Sequence, residues 1–121
     1  MIPLRLPSAK GARNRYAVAP VEQRTFEGKV FASQREMVRF GFLRLELKSG
    51  RISELETQPS WIVNINGKRL CRYTADFRYV RNGAVVIEEV KSSGTAKDAA
   101  YKLRRRAAEL EHGIVITEIV A

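Results

Sequence analysis

The sequence predicts a mixed α/β (α+β) domain whose central mixed sheet is flanked by helices. Three observations indicate this: two stretches with helix-start signals, several β-branched and aromatic runs between them, and two Asn-Gly dipeptides of the kind that close hairpins. With 121 residues and 45% hydrophobic content, the chain has the size of one ordinary domain. The predicted order of elements is αβββαβ.

The N-terminal segment, residues 1–30, predicts an extended basic arm ahead of a core domain at residues 31–121. It holds three of the four prolines, six basic residues and two acidic ones, without clear periodicity. Two interpretations stay open: an arm that grips nucleic acid, and a terminus without a role.

The first half of the core predicts a helix followed by an antiparallel meander. Ser33-Gln34-Arg35-Glu36 is a Ser-x-x-Glu capping box, and the apolar pattern after it predicts a helix that ends at Gly50. Three β-rich runs follow, with Asn-Gly turns between them. The predicted strands and turns are 61–65, the turn Asn66-Gly67, 70–80, the turn Asn82-Gly83, and 84–91.

The second half of the core predicts a helix and a closing strand. Thr95-Ala96-Lys97-Asp98 resembles another capping box, Gly113 is a helix stop, and residues 114–120 form a β-branched run. Within this helix the apolar positions fall on one stripe and the polar ones lie on the other side. The apolar stripe is Ala99, Leu103, Ala107 and Leu110, and the other side carries Lys102, Arg105, Arg106 and Glu109.

Charge and composition indicate a partner class and a compartment. The 22 basic residues against 13 acidic ones give a net charge of +9, which favours polyanions, above all nucleic acid, but specifies no reaction. Cys71 is the only cysteine, which excludes an internal disulfide and a cysteine-rich zinc site. No apolar run approaches the roughly 20 residues of a membrane span. Prolines also interrupt the N-terminal apolar stretch that a signal peptide would need. We therefore expect a soluble cytoplasmic protein with no membrane partner.

The candidate chemistry lies on the hairpin around Asn82-Gly83. If this turn is a two-residue type I′ loop, Asp76 lies directly across from Glu89, with Cβ atoms about 4.5–5.5 Å apart. Two like charges at that distance destabilise a sheet unless something, such as a divalent cation, neutralises them. Lys91 shares the face of Glu89, so acid and base are presented together. Carboxylate oxygens suit Mg²⁺ or Mn²⁺, which activate water and offset charge on a phosphate.

A plainer interpretation stays open for the same residues. Asp76 and Glu89 also fit ordinary salt bridges with neighbouring cations, and clustered charges are often structural. The candidate partners are Arg72, Arg78 and Lys91. Spacing alone favours neither interpretation.

The chain resembles the PD-(D/E)XK nuclease superfamily over about residues 31–120. That core is an αβββαβ unit with an Asp on one hairpin strand and Glu-x-Lys on the next, the restriction-endonuclease-like arrangement. More narrowly, the chain looks like a phage-associated branch of small, Holliday-junction-resolvase-like nucleases. Four blocks carry this likeness: Ser33-Gln34-Arg35-Glu36, Glu56-Thr57-Gln58-Pro59, Tyr73-Thr74-Ala75-Asp76-Phe77 and Glu88-Glu89-Val90-Lys91.

The resemblance implies roles for individual residues. Asp76 and Glu89 would be metal ligands, the Val90 carbonyl a third ligand, and Lys91 the catalytic lysine. Glu36 matches an acidic residue that often completes the site, although helix capping explains it about as well.

The resemblance also implies residues that contact DNA. Gln58 matches a recurring position of this branch, although Gln58-Pro59 also suits the start of a strand. The cations of the second helix, Lys102, Arg105 and Arg106, would touch DNA phosphates, although such a run is often a solvated face.

The leading functional hypothesis is a Mg²⁺- or Mn²⁺-dependent endonuclease that cuts DNA, with branched DNA such as Holliday junctions implied as substrate. Resolution of a junction needs two paired cuts, so it predicts a homodimer. The resemblance places it in a bacterial or phage-infected cell and in DNA recombination. The alternatives are a non-catalytic nucleic-acid-binding module on a nuclease fold and, more weakly, a protein–protein role.

Overall fold

The structure is a computed structural model and describes residues 18–92 and 98–120. The chain divides into two compact units, Met1–Met37 and Val38–Ala121. The predicted mixed α/β class is confirmed, with helices and a mixed sheet in the described residues. The elements in chain order are β1 (Thr25–Phe26), β2 (Lys29–Val30), α1 (Gln34–Lys48), β3 (Ser53–Thr57), β4 (Ser60–Ile65), β5 (Lys68–Thr74), β6 (Phe77–Arg81), β7 (Ala84–Lys91), α2 (Ala99–His112) and β8 (Ile116–Val120).

The N-terminal unit contains regular structure within the predicted arm. A short 3-10 helix at Val21–Arg24 leads into the antiparallel pair β1–β2. The Arg24 guanidinium donates hydrogen bonds to the carbonyls of Ala19 and Phe31, which ties the two ends of this segment together. Residues 18–30 are therefore not simply extended, and the remainder of the predicted arm, residues 1–17, lies outside the described residues.

The serine half of the capping box predicted for the first helix is confirmed, and the glutamate bonds one residue before the predicted N-cap. The Ser33 Oγ accepts a hydrogen bond from the Glu36 N–H at 3.2 Å, and the Glu36 carboxylate accepts one from the Ala32 N–H at 3.0 Å. Both bonds satisfy N–H groups that have no partner within the helix. The helix runs to Lys48, close to the predicted end at Gly50.

The central sheet has four strands in the order β3-β6-β7-β8. Pairs β3–β6 and β6–β7 are antiparallel and β7–β8 is parallel, so the sheet is mixed. The predicted simple meander is wrong in one respect. Its first strand, observed as β4, belongs with β5 to a separate two-stranded sheet, and the first strand of the central sheet is instead β3.

The predicted continuous strand 70–80 is also wrong, because the chain changes partner at Ala75-Asp76. Before this point β5 pairs with β4, and after it β6 pairs with β3 and β7. At the break, the Ala75 N–H donates to the Pro59 carbonyl and the Gln58 N–H donates to the Asp76 carbonyl. These bonds satisfy the backbone where the ladder is interrupted.

Both predicted Asn-Gly turns are confirmed. Asn82 and Gly83 have φ values of 53° and 77°, and Arg81 pairs with Ala84, as a type I′ hairpin requires. The predicted register then holds as far as Phe77 opposite Glu88. The ladder ends there, so Asp76 lies one residue beyond the last pair.

Helix α2 has the predicted end but a different buried face. Asp98 caps its start and Gly113, at φ 66°, ends it; residues 95–97 of the predicted capping box lie outside the described residues. Leu103 and Leu110 are 73% and 68% exposed, whereas Tyr101 and Ala108 are buried. Hydrophobic periodicity alone misassigns this face because an aromatic and a small side chain pack here in place of leucines.

Two groups of apolar side chains lie on opposite faces of the central sheet. Toward α1, Phe40 stacks on Phe77 with ring centroids 6.0 Å apart, and Leu43 is fully buried. Toward α2, the core consists of Val63, Tyr73, Ala75, Ile87, Tyr101, Ala108 and Ile116. No helix in the described parts of the chain is long and apolar enough to cross a membrane.

Candidate active site

The predicted acidic residues Asp76 and Glu89 both lie at the end of the β6–β7 pairing. The Asp76 N–H donates to the Glu88 carbonyl at 3.0 Å, which continues the hairpin by one bond. The Asp76 Oδ2 accepts a hydrogen bond from the Val90 N–H at 2.7 Å. The carboxylate of Asp76 is thereby fixed against β7, beside the backbone that carries Glu89 and Lys91.

Tyr73 and Lys91 both contact Glu89 on the α2 side of the sheet. Glu89 is 6% exposed, its Oε1 accepts a hydrogen bond from the Tyr73 hydroxyl at 2.6 Å, and its Oε2 lies 3.4 Å from the Lys91 Nζ. The Lys91 Nζ also lies 4.4 Å from the centroid of the Tyr101 ring, a cation–π contact. Acid and ammonium are therefore fixed by a tyrosine each.

The two tyrosines stay protonated at neutral pH. Burial raises the pKa of Tyr73, and its hydrogen bond to Glu89 raises that pKa further. Burial also raises the pKa of Tyr101. Tyr73 is thus a permanent donor to Glu89, because a phenol that ionised beside a carboxylate would lose the bond and add repulsion.

A cleft of about 250 Å³ opens beside Glu89, and we call it the basic cleft. Three cationic side chains and one carboxylate line it, so it attracts anions. Its lining residues are Arg72, Tyr73, Thr74, Glu89, Lys91, Tyr101 and Arg104.

Asp76 and Glu89 fit a Mg²⁺-type ion better than a closed metal cage. Among the described residues, no three or more His, Cys, Asp or Glu side chains cluster closely enough to hold a metal. Mg²⁺ is commonly bound through one or two carboxylates and keeps several waters, so two carboxylates match it. A carboxylate oxygen that accepts one hydrogen bond still has a second lone pair for a further ligand. The predicted ligation by the Val90 carbonyl stays a prediction.

Glu36 and Gln58 have local roles in the structure. Glu36 belongs to the N-terminal unit, where its carboxylate caps α1. Gln58 has a positive φ of 57° and its N–H bonds to the Asp76 carbonyl, so its backbone fixes the chain next to Asp76. Their predicted parts in metal or DNA binding stay predictions.

The predicted DNA-contacting cations of α2 lie apart from the basic cleft. The Arg105 Nη1 lies 3.0 Å from a Glu118 carboxylate oxygen on β8, and Arg106 pairs with Glu109 at 3.4 Å. Arg106 also lines a second, largely apolar groove of about 750 Å³ between the β4–β5 hairpin and α2. Lys102 is exposed. None of the three lines the basic cleft.

Sequence reasoning missed Tyr73, Tyr101 and Arg104 as parts of the site. A signal existed for the last two, because residues three apart on a helix lie on one side of it. Once Tyr101 is placed against the sheet, Arg104 must lie near the same cleft. The bond from Tyr73 to Glu89 joins two different sheets, and no local pattern indicates it.

Comparison with known proteins gives a family but no activity. A family model described as a protein of unknown function (DUF1064) matches residues 13–115. No curated protein and no solved structure matches the chain significantly.

Proposed function

We propose that this chain, which belongs to the DUF1064 family of proteins of unknown function, is a metal-dependent endonuclease. Its proposed reaction is the hydrolysis of DNA phosphodiester bonds. One observation carries the proposal. Asp76 and Glu89 both lie at the end of the β6–β7 hairpin, where the Asp76 carboxylate bonds to the Val90 N–H, the Lys91 ammonium lies 3.4 Å from Glu89, and the basic cleft opens beside Glu89. The order α1, β3, β6, β7, α2, β8 of the core further supports a PD-(D/E)XK type of enzyme.

The arrangement supports catalysis over simple binding of nucleic acid. A buried carboxylate beside a phosphate-attracting cleft repels the ligand, and a pure binding surface has no use for it. Asp76 and Glu89 would lose that conflict if they held a divalent cation, because its charge would offset theirs and favour a phosphate.

Each residue of the candidate site has a separate role in the proposed hydrolysis. Asp76 and Glu89 would hold Mg²⁺ or Mn²⁺, which when bound supplies Lewis-acid activation of water and offsets charge on the phosphate. The Val90 N–H and the Tyr73 hydroxyl fix the orientation of the two carboxylates. Lys91 orients the attacking water and neutralises charge that develops on the phosphate, and the Tyr101 ring keeps its ammonium in place.

The proposed substrate is branched DNA such as a four-way junction. The net charge of +9 supports a polyanionic substrate. Paired cuts across a junction need two active sites, so we propose a homodimer, which sedimentation of the purified protein tests directly. We propose that it acts in the cytoplasm of a bacterial or phage-infected cell.

The test is cleavage of labelled four-way junction, duplex and single-stranded DNA with Mg²⁺ or Mn²⁺. We expect symmetric cuts in the junction for the wild type. Glu89→Ala and Asp76→Asn are expected to lower the rate on the order of 10³-fold, because each weakens a metal site worth several kcal/mol of charge stabilisation.

The alternative function is a DNA-binding module without catalysis. The Lys91–Glu89 ion pair favours it, because such a pair is also what an ordinary structural salt bridge looks like. If no substrate is cut with either metal while DNA still binds, this alternative replaces the nuclease. Cuts confined to duplex or single strands keep the nuclease and change its substrate.

A further inference from the structure

Two arginines of the basic cleft differ from the two arginines that follow Arg104 on α2. Arg72 on β5 and Arg104 on α2 are exposed and line the cleft. Neither guanidinium makes a hydrogen bond or an ion pair with the residues that the structure describes, although both residues are bonded through their backbone. Arg105 and Arg106, the next two residues of α2, are instead each paired with a glutamate.

This arrangement leaves positive charge at the cleft uncompensated. Lys91 has the Glu89 carboxylate as its counter-ion, at 3.4 Å. Glu89 is also the only acidic residue among those that line the cleft, so Arg72 and Arg104 have no carboxylate of their own there. Like charges gathered in one concavity repel each other and favour the entry of an anion.

The chemistry of the lining suits a phosphate. A guanidinium offers a planar fork of N–H donors that matches two phosphate oxygens, and Thr74 adds a hydroxyl donor. A volume of about 250 Å³ is several times the roughly 30 Å³ that a water occupies in the liquid, so a phosphate and its nearest waters fit.

We propose that Arg72 and Arg104 bind a backbone phosphate of the nucleic acid next to the phosphate that is cut. The identification of a neighbouring phosphate rests on the proposed nuclease function. The scissile phosphate must reach both Asp76 and Glu89, and Asp76 is not among the residues that line the cleft. The site therefore sets the position of the strand and leaves the chemistry to the acidic pair.

The first experiment measures binding without cleavage. Fluorescence anisotropy of a labelled oligonucleotide in EDTA, over a series of salt concentrations, compares the wild type with Arg72→Ala, Arg104→Ala and Arg104→Lys. Each alanine variant is expected to weaken binding about 10-fold, the size of a lost hydrogen bond to a charged group. Each is also expected to make the slope of log K against log salt less negative by about one phosphate contact. Arg104→Lys keeps the charge and loses the fork, so we expect an intermediate affinity with the wild-type slope.

Arg51→Ala is the control, because Arg51 is an exposed arginine that pairs with Glu46 and lies outside the cleft. It is expected to change affinity less than about 2-fold, as for a surface ion pair of small energy. Equal effects of Arg104→Ala and Arg51→Ala would overturn the proposal. So would full competition by an unlabelled mononucleotide, which would assign the cleft to a free nucleotide.

The second experiment separates this site from the proposed reaction. In the cleavage assay, Arg72→Ala and Arg104→Ala are expected to raise KM about 10-fold and to leave kcat within about 3-fold. A collapse of kcat at unchanged KM would refute the assignment to a neighbouring phosphate. If the wild type cuts nothing and both variants still lose affinity and salt slope, the nuclease proposal fails while the phosphate site stands. If the wild type cuts DNA and both variants bind and cut as the wild type does, the phosphate site fails while the nuclease proposal stands.

Discussion

The two faces of β7 hold neighbouring glutamates in very different surroundings. On the α1 face, the Glu88 side chain is 2% exposed and accepts two hydrogen bonds from the Arg39 guanidinium, at 2.8 and 2.6 Å. It accepts a third from the Tyr79 hydroxyl. On the α2 face, the Glu89 side chain is 7% exposed, and its cation is Lys91, at 3.4 Å beside a cleft.

The difference shows how one strand serves structure on one face and a candidate site on the other. Successive side chains of a strand point to opposite faces, so two adjacent acids cannot share a partner. Glu88 is neutralised by a forked, close contact inside the protein, which suits a fixed structural pair. Glu89 keeps a longer contact and lies where an ion or a phosphate can enter.

The largest expected effect is on stability, at the Glu88 face. Arg39→Ala leaves a buried carboxylate without its cation, which costs about 3–5 kcal/mol of the free energy of unfolding. The hydrogen bond to Glu88 raises the pKa of Arg39, in keeping with a strong pair. Urea denaturation measures the loss, and cleavage by the fraction that stays folded is expected to be retained.

Arg78→Ala is the control for that comparison. Arg78 lies 3.9 Å from Glu56, which is 55% exposed, so the expected loss is at most about 1 kcal/mol. If Arg39→Ala costs no more than Arg78→Ala, the two faces of β7 do not differ as described and Glu88 is not a structural anchor.

A smaller effect is expected when Tyr73 loses its hydroxyl. Tyr73→Phe removes the donor that orients Glu89, the proposed metal ligand. Loss of a hydrogen-bond partner of a metal ligand lowers metal affinity or activity by about 10–100-fold, and we expect a change of that size here. The stability loss is expected to be about 1 kcal/mol. The readouts are the cleavage rate and the concentration of Mn²⁺ that gives half the maximal rate.

Tyr79→Phe is the matched control, because Tyr79 makes the same kind of bond to Glu88 on the other face. It is expected to lose similar stability and to keep the wild-type Mn²⁺ requirement. An equal change of Mn²⁺ requirement in both variants would indicate a general loss of packing and no positioning role for Tyr73.

The sequence predicted the hairpin around the candidate site well, because strong local signals set it. Asn82-Gly83 favours a type I′ turn. This turn sets the register of the hairpin, which places Asp76 near the backbone of Glu89. The caps at Ser33 and Gly113 were predicted for the same reason, since each satisfies backbone groups within a few residues.

What the sequence missed depends on contacts between distant segments. The chain changes from β5 to β6 at Ala75-Asp76, where both residues bond to the backbone of Gln58-Pro59. Hydrophobic periodicity does not encode these bonds. The face of α2 was misjudged because Leu103 and Leu110 line an open groove, whereas Tyr101 packs on the sheet. A count of charges does not distinguish the cations of α2, although Arg105 pairs with Glu118 and Arg104 lines the basic cleft.

The smallest expected effect compares the same two tyrosines at high pH. Burial and a bonded glutamate raise the pKa of both Tyr73 and Tyr79 above the ordinary 10. Above pH 10 the unfolded chain therefore releases phenolic protons that the folded chain keeps. The folded state then binds more protons, and stability falls as pH rises, by at most about 1.4 kcal/mol per tyrosine per pH unit. Below pH 10 both contributions are fully present.

The two faces differ in the cations beside the tyrosine, which predicts which variant changes this slope more. Arg81 and Arg39 both lower the pKa of Tyr79 and partly offset the effects of burial and Glu88, whereas burial, Glu89 and the other groups that act on Tyr73 raise its pKa. Tyr73→Phe is therefore expected to flatten the loss of stability above pH 10 more than Tyr79→Phe does. Urea denaturation from pH 9 to pH 11, with tyrosinate absorbance followed in parallel, measures both slopes. Equal slopes would mean that Arg81 and Arg39 do not lower the pKa of Tyr79 enough to matter, and the contrast between the two faces would then rest on geometry alone.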